Sequence, residues 1–164
     1  KLAGNPAYGA ARLVEFDPKA PVFGPAASAD VVLTFRNLHN WLAAGTTEYH
    51  LRAAYDALKP GGVLGVVDHR ARPGTDIETS KKSGYVSEQL VIDLAGEVGF
   101  ALEARSEVNA NPKDDTDHPN GVWTLPPVNR HDAADDATYK AIGESDRMTL
   151  RFVKPGAAAP RAQP

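Results

Sequence analysis

Residues 30–35 read Asp-Val-Val-Leu-Thr-Phe, and residues 58–68 read Leu-Lys-Pro-Gly-Gly-Val-Leu-Gly-Val-Val-Asp. Each stretch holds a nearly continuous apolar run, which is typical of a strand buried on both faces of a parallel sheet. Between them, apolar residues at positions 51, 54, 55 and 58 follow the spacing of one helix face. The sequence therefore predicts a strand over 30–35, a helix from Thr46 or Thr47 to about Lys59, and a parallel strand over 63–67.

Further elements are predicted on both sides of this unit. Arg12–Phe16, closed by Asp-Pro, is predicted to be a strand, and Ser87–Val98 a helix with a left-handed cap at the following glycine. Two more strands are expected over residues 100–108 and 148–153, separated by a long polar excursion over 109–145. We expect residues 1–154 to belong to one α/β domain and the Ala- and Pro-rich residues 155–164 to be a disordered tail.

The composition excludes several classes of protein. The 164 residues carry a net charge of -3 and no densely basic stretch, which argues against nucleic acid as a partner. No apolar run approaches the roughly 20 residues needed to cross a bilayer, so we expect no membrane segment. The absence of cysteine excludes disulfides and thiolate chemistry. We expect a cytoplasmic protein; the composition leaves its oligomeric state open.

Polar side chains follow both predicted parallel strands. Arg36, Asn37, His39 and Trp41 come after the first strand, and the pair Asp68-His69 comes after the second. Ligands of open parallel sheets bind at the carboxyl ends of the strands, so we expect the two clusters to share one cleft. Two imidazoles and a carboxylate at one edge suit acid/base chemistry near neutral pH.

These residues resemble the second half of a class I S-adenosylmethionine-dependent methyltransferase. The resemblance rests on the Asp-led strand at 30, the Leu-Lys-Pro-Gly-Gly turn at 58–62 before a hydrophobic strand, and Leu38-His39-Asn40-Trp41. The last stretch is similar to the Leu-His-Asp-Trp of small-molecule O-methyltransferases, with Asn40 in place of Asp. The resemblance covers roughly residues 8–108, and it implies a Rossmann-like, doubly wound, mostly parallel sheet with an antiparallel last strand.

The resemblance also implies a cofactor, a reaction and the roles of individual residues. The cofactor is S-adenosylmethionine and the acceptor is a small molecule, most simply an oxygen nucleophile. His39 is the implied base that deprotonates the acceptor hydroxyl. The residues implied on the cofactor side are Asp17, at the adenine amino group, and Phe35, Arg36 and Asn37. Those implied on the acceptor side are Trp41, Asp68 and His69, with the polar excursion as a lid; Asp68 alternatively orients a neighbour.

The sequence departs from the family at its beginning. No G-x-G occurs, and neither the glycine-rich loop nor the ribose-binding acidic residue of the family has a counterpart. In the family's sheet order the strand at 30–35 then has a bare edge. We therefore expect these residues to be the C-terminal part of a longer protein and not to bind S-adenosylmethionine by themselves, which leaves catalysis by the chain as given undecided.

Two alternatives from other classes remain. The first is a non-catalytic binding module that keeps the methyltransferase scaffold, which the missing glycine loop favours. The second is a metal-assisted hydrolase that uses His39, Asp68 and His69, because imidazole and carboxylate groups suit zinc or iron. Of these interpretations, we expect the one in which the site holds no metal ion.

Overall fold

The structure is a computed structural model in which residues 4–156 are described. Four strands form one mixed sheet in the order β1-β2-β4-β3, namely β1 (Ala29–Phe35), β2 (Leu58–His69), β3 (Ala101–Ser106) and β4 (Arg147–Val153). β1 and β2 are parallel, whereas β4 runs antiparallel to both β2 and β3. The predicted parallel pair and the antiparallel last strand are confirmed.

Five α-helices accompany the sheet: α1 (Leu38–Ala44), α2 (Thr47–Ala57), α3 (Ile77–Ser83), α4 (Glu88–Val98) and α5 (Asp136–Ile142). α2 is the predicted crossover helix. α4 begins after Ser87 and ends at Gly99, whose φ of +114° supplies the predicted left-handed cap. None of the helices within residues 4–156 has the length and hydrophobicity needed to span a bilayer.

The two faces of the sheet differ in their cover. On one face, Leu64 and Val66 of β2 and Leu150 and Phe152 of β4 are at most 2% exposed and pack in a core with residues of α2 and α4. On the opposite face, the β1 side chains Val31, Leu33 and Phe35 are 53–61% exposed. Strand alternation sends Asp68 to the covered face and His69 to the opposite one.

One predicted strand is absent. Residues 12–16 form neither strand nor helix, and Leu13 is 88% exposed. A strand is stable only when a neighbouring strand forms hydrogen bonds with its backbone N–H and C=O groups. Within residues 4–156, no strand lies beside residues 12–16 to form them. The expected tail is described only as far as Gly156; residues 157–164 lie outside the described part of the chain.

The polar excursion contains more structure than its composition predicts. It folds into α5 and two short 3₁₀ helices, one of which, Gly121–Thr124, we call the Trp123 turn. Gly121 has a φ of +55°, and a Cβ there would lie 2.1 Å from the carbonyl oxygen of Ser83. Only glycine therefore lets the Trp123 turn approach the end of α3 this closely.

Candidate active site

The end of β1 turns directly into a helix that the sequence did not predict. Arg36 takes a φ of +53°, its N–H donates to Val67 O at 2.7 Å, and α1 starts two residues later at Leu38. Asn37 occupies the N-cap position without a side-chain bond to the helix, so the usual capping signal is missing. His39 thereby lies in the first turn of α1, beside the end of β2.

His39 and Asp68 form a buried pair. Nδ1 of His39 lies 2.8 Å from Oδ1 of Asp68, and the His39 backbone N–H donates to Oδ2 at 3.2 Å. The backbone N–H of His69 also donates to Oδ1, at 2.8 Å. Because a carboxylate only accepts hydrogen bonds, Nδ1 of His39 carries a proton, and in the neutral ring Nε2 holds the lone pair. Within residues 4–156, no group bonds to that Nε2.

His69 lies against this pair from the other face of the sheet. The two imidazole rings have centroids 4.9 Å apart and meet edge to face. Nδ1 of His69 is 2.5 Å from the hydroxyl oxygen of Ser145, on the loop before β4. Burial, with smaller contributions from the charges of His39, Arg147 and Arg36, lowers the pKa of His69 to about 4, although Asp68 acts in the opposite direction. His69 is therefore neutral at pH 7.

Both histidines line a cavity of about 200 Å³. Phe35 and Arg36 close it from the end of β1, and the excursion closes it with Val122, Trp123, Pro126, Pro127 and Val128. The Trp123 ring centroid is 6.2 Å from that of His39. The cavity thus combines a histidine with a free ring nitrogen, an aromatic wall and a guanidinium group.

Of the residues predicted on the acceptor side, the structure places His69 beside His39 in the cavity and places Asp68 and Trp41 elsewhere. The prediction that His39 and His69 share one cleft is confirmed. Asp68 is 0% exposed and its oxygens accept three hydrogen bonds, so it orients His39 and has no surface for a substrate. Trp41 instead stacks on His50, with centroids 4.4 Å apart, and does not line the His39 cavity.

Of the residues predicted on the cofactor side, three lie at the end of β1, namely Phe35, Arg36 and Asn37, and Asp17 lies away from it. The Phe35 ring is 61% exposed and Asn37 is exposed beside it, so an aromatic surface and a carboxamide are available to a nucleoside. The Arg36 side chain lines the His39 cavity. Asp17 is an exposed turn residue whose Oδ1 accepts from the Lys19 N–H, which is the ordinary role of Asp before Pro.

Two site residues escaped the sequence analysis. Trp123 and Ser145 lie in the polar excursion, 84 and 76 residues after His39 and His69 respectively. No periodicity or motif marks either residue, because their role depends on how a long loop returns to the sheet. The only sequence feature that pointed to these residues was the length of the excursion itself, since long ordered loops over a site are commonly functional.

A second histidine–carboxylate cluster lies beneath the excursion. Oδ1 of Asp114 accepts from Nε2 of His118 at 2.8 Å and from the Thr116 N–H, while Oδ2 accepts from the Tyr85 hydroxyl and the Asp146 N–H. Burial and the neighbouring Asp114 raise the pKa of the Tyr85 hydroxyl. With four donors from three segments, around residues 85, 116–118 and 146, Asp114 fastens the excursion to the body of the protein.

A larger groove of about 620 Å³ runs beside this cluster. Its central cation, Arg70, is bound at 2.7–2.9 Å by Glu107 and Asp146. These paired charges raise the pKa of Arg70, and Glu107 and Asp146 occupy four of its five N–H donors. We therefore place the candidate active site in the smaller His39 cavity.

No protein-family model and no curated protein matches this sequence, but solved structures do. The [4+2]-cyclase SpnF superposes with a TM-score of 0.58 at 16% identity, over 87% of this chain and 56% of that one. A SAM-dependent methyltransferase from Methanosarcina mazei gives 0.53 at 9% identity, over 85% and 65%. One from Aquifex aeolicus gives 0.51 at 12% identity, over 87% and 54%.

These likenesses establish the fold. The chain has the Rossmann-like fold of class I SAM-dependent methyltransferases and spans 54–65% of the length of these three structures. The fold does not by itself define the reaction, since one of the three is described as a cyclase. The reaction must be argued from the His39 cavity.

Proposed function

We propose that this protein transfers a methyl group from S-adenosylmethionine to a hydroxyl of a small molecule bound beside His39. The observation that carries the proposal is the His39–Asp68 pair, with its 2.8 Å bond at Nδ1, at the carboxyl ends of two parallel strands of a methyltransferase fold. This pair leaves Nε2 of His39 as a free base on the wall of a cavity.

In this proposal His39 is the catalytic base. Nε2 takes the proton of the acceptor hydroxyl, and the imidazolium that forms is stabilised by the Asp68 carboxylate through the Nδ1 hydrogen bond. Asp68 is a positioning residue, because the His39 and His69 backbone N–H groups hold its carboxylate and the carboxylate in turn orients the His39 ring. Trp123 and the prolines of the excursion keep water from the reacting oxygen.

S-adenosylmethionine, when bound, supplies the methyl group from its sulfonium. Phe35 and Asn37 suit its adenosine part, since they offer an exposed ring and a carboxamide next to the cavity. Asp17 remains a proposed adenine contact. The chain's main task is alignment, because an in-line displacement needs the acceptor oxygen held close to the methyl carbon.

The test uses the protein in the full length that its gene encodes. Calorimetry with S-adenosylmethionine and S-adenosylhomocysteine should show binding of both. A screen of phenols, quinols and hydroxy acids with methyl-labelled cofactor should then identify a methylated product. If neither cofactor form binds, the proposal is wrong, and a binding module on this scaffold becomes the better account. If both bind but no hydroxyl is methylated, the reaction class is wrong.

The metal-assisted hydrolase has one observation in its favour. Single ligand atoms of His39, Asp68 and His69 lie within 4.8 Å of one another, close enough to surround one ion. However, both Asp68 oxygens already accept hydrogen bonds, and a metal at Oδ1 would displace the Nδ1–H of His39. Elemental analysis of the purified protein tests this alternative, which requires about one metal ion per chain.

A further inference from the structure

One cationic residue of the His39 cavity has no ion-pair partner within residues 4–156. The Arg36 guanidinium lines the cavity, and no carboxylate within residues 4–156 forms an ion pair with it. Three other arginines, on or next to β2 and β4, are paired: Arg70 with Glu107 and Asp146, Arg147 with Glu144, and Arg151 with Glu103. An unpaired guanidinium beside a cavity is a binding group for an anion.

A second guanidinium stands close by. Arg147 is directly opposite His69 in the β2–β4 register, so the two side chains share one face of the sheet. Its Nη2 contacts Glu144, but its buried Nε has no hydrogen-bond partner among the described residues. Burial and the nearby charge of Arg36 lower the pKa of Arg147. Arg147 does not line the cavity, so Arg36 is the arginine that a ligand in the cavity can reach.

The remaining walls restrict the shape and size of the ligand. Trp123 and Phe35 give aromatic surfaces, and His39 and His69 are aromatic rings as well. A cavity of about 150 Å³ accepts a benzene molecule, so about 200 Å³ suits one ring with small substituents. His69 is neutral at pH 7 and adds no charge to compete for the anion.

We propose that the acceptor is a monocyclic aromatic hydroxy acid, whose carboxylate binds Arg36 and whose hydroxyl faces Nε2 of His39. This inference rests on the proposed function for the role of the hydroxyl, but the binding of the carboxylate stands independently of it. This inference assigns Arg36 to the acceptor side, whereas the resemblance implies a role for Arg36 on the cofactor side.

The experiment measures binding of 4-hydroxybenzoate and of its uncharged methyl ester in a Trp41→Phe background, where Trp123 is the only indole in residues 1–164. The acid should quench the Trp123 emission and bind about 10- to 100-fold more tightly than the ester, the range expected for charge-assisted hydrogen bonds. Calorimetry provides the same comparison without a fluorophore. Equal affinities, or no binding of the acid by either method, overturn the proposal.

Two substitutions identify the group that selects the acid. Arg36→Gln should reduce the affinity for the acid to that for the ester and leave the ester unchanged. Arg36→Lys should give an intermediate affinity, because it keeps the charge and loses the paired N–H donors. Arg52→Gln, on the exposed side of α2, is the matched control and should change neither affinity. An Arg36→Gln variant with undiminished acid binding contradicts the proposal.

The same titrations separate this inference from the proposed function. The full-length wild-type protein and its Arg36→Gln variant should bind S-adenosylmethionine with the same affinity. If the acid binds but S-adenosylmethionine does not, methyl transfer fails and the anion site stands. If S-adenosylmethionine binds and the acid does not, methyl transfer stands and the acceptor class is wrong.

Discussion

Two buried histidine–aspartate pairs occur in this molecule, His39 with Asp68 and His118 with Asp114, and each is joined by a 2.8 Å contact. Their surroundings differ. Asp68 accepts only from His39 and from the backbone of His39 and His69, all at the end of two parallel strands. Asp114 accepts from four donors on three segments of the chain. The same pair therefore orients a ring in one place and fastens a loop in the other.

The largest effect is expected from a substitution that breaks the His39–Asp68 pair. Asp68→Asn keeps the shape of the side chain but removes its negative charge and replaces one acceptor oxygen with an NH2 donor, so the carboxylate that favours the His39 proton on Nδ1 is lost. We expect methyl transfer by the full-length protein to fall about 10²–10⁴-fold, as for other histidines deprived of an orienting carboxylate. Asp30→Asn, at an exposed ion pair of β1, is the control and should leave the rate unchanged. A normal rate in Asp68→Asn shows that the pair does not orient a base.

The second pair is tested by its effect on folding. Asp114→Ala leaves the Tyr85 hydroxyl, His118 and two backbone N–H groups without their acceptor. We expect the free energy of unfolding to fall by about 3–5 kcal/mol, measured by urea denaturation. Asp115→Ala, whose side chain is 65% exposed, should cost less than about 0.5 kcal/mol. Equal losses in both variants would show that Asp114 is not the anchor.

The excursion that Asp114 fastens also places Trp123 at the cavity. A substitution at Gly121 tests whether the position of the Trp123 turn and the stability of the protein depend on each other. Gly121→Ala places a Cβ at 2.1 Å from Ser83 O in a left-handed backbone, so we expect a loss of about 3 kcal/mol and a shifted Trp123 emission. Gly74→Ala has a similar φ of +82° but no atom within 4 Å of its Cβ. It should show only the backbone strain of about 1–2 kcal/mol and an unchanged emission.

The first pair also has a histidine neighbour whose titration affects stability. The pKa of His69 is about 4 in the folded protein and about 6.5 when unfolded, so only the unfolded chain takes up a proton between these values. Stability should therefore fall by about 2–3 kcal/mol as the pH decreases from 6.5 to 4. His69→Gln should reduce that loss in urea titrations at each pH. An unchanged pH profile in His69→Gln assigns the loss to other groups.

The parts of the molecule that the sequence predicts are those that depend on local periodicity. The runs at 30–35 and 58–68, the helix between them and α4 with its Gly99 cap are all specified by residues a few positions apart. Residues 12–16 have the same kind of pattern and form no strand, because a strand also needs a partner. Periodicity supplies the side-chain pattern but not the hydrogen-bonding neighbour.

The site was predictable to the extent that sheet topology determines it. His39 and His69 meet because both follow parallel, adjacent strands, which the βαβ pattern implies. The burial of Asp68 depends on which face of β2 is covered by helices, and the place of Trp123 depends on a loop that returns to the sheet some 80 residues later. Neither follows from residues that are close in sequence.

The most direct test compares the His39→Ala and His118→Ala variants of the full-length protein, assayed with its best acceptor. The account predicts that His39→Ala lowers methyl transfer about 10²–10⁴-fold with S-adenosylmethionine affinity nearly unchanged, because the base acts on the acceptor and not on the donor. It predicts that His118→Ala keeps its turnover below its melting temperature and loses stability. Near-normal turnover by His39→Ala would contradict the account.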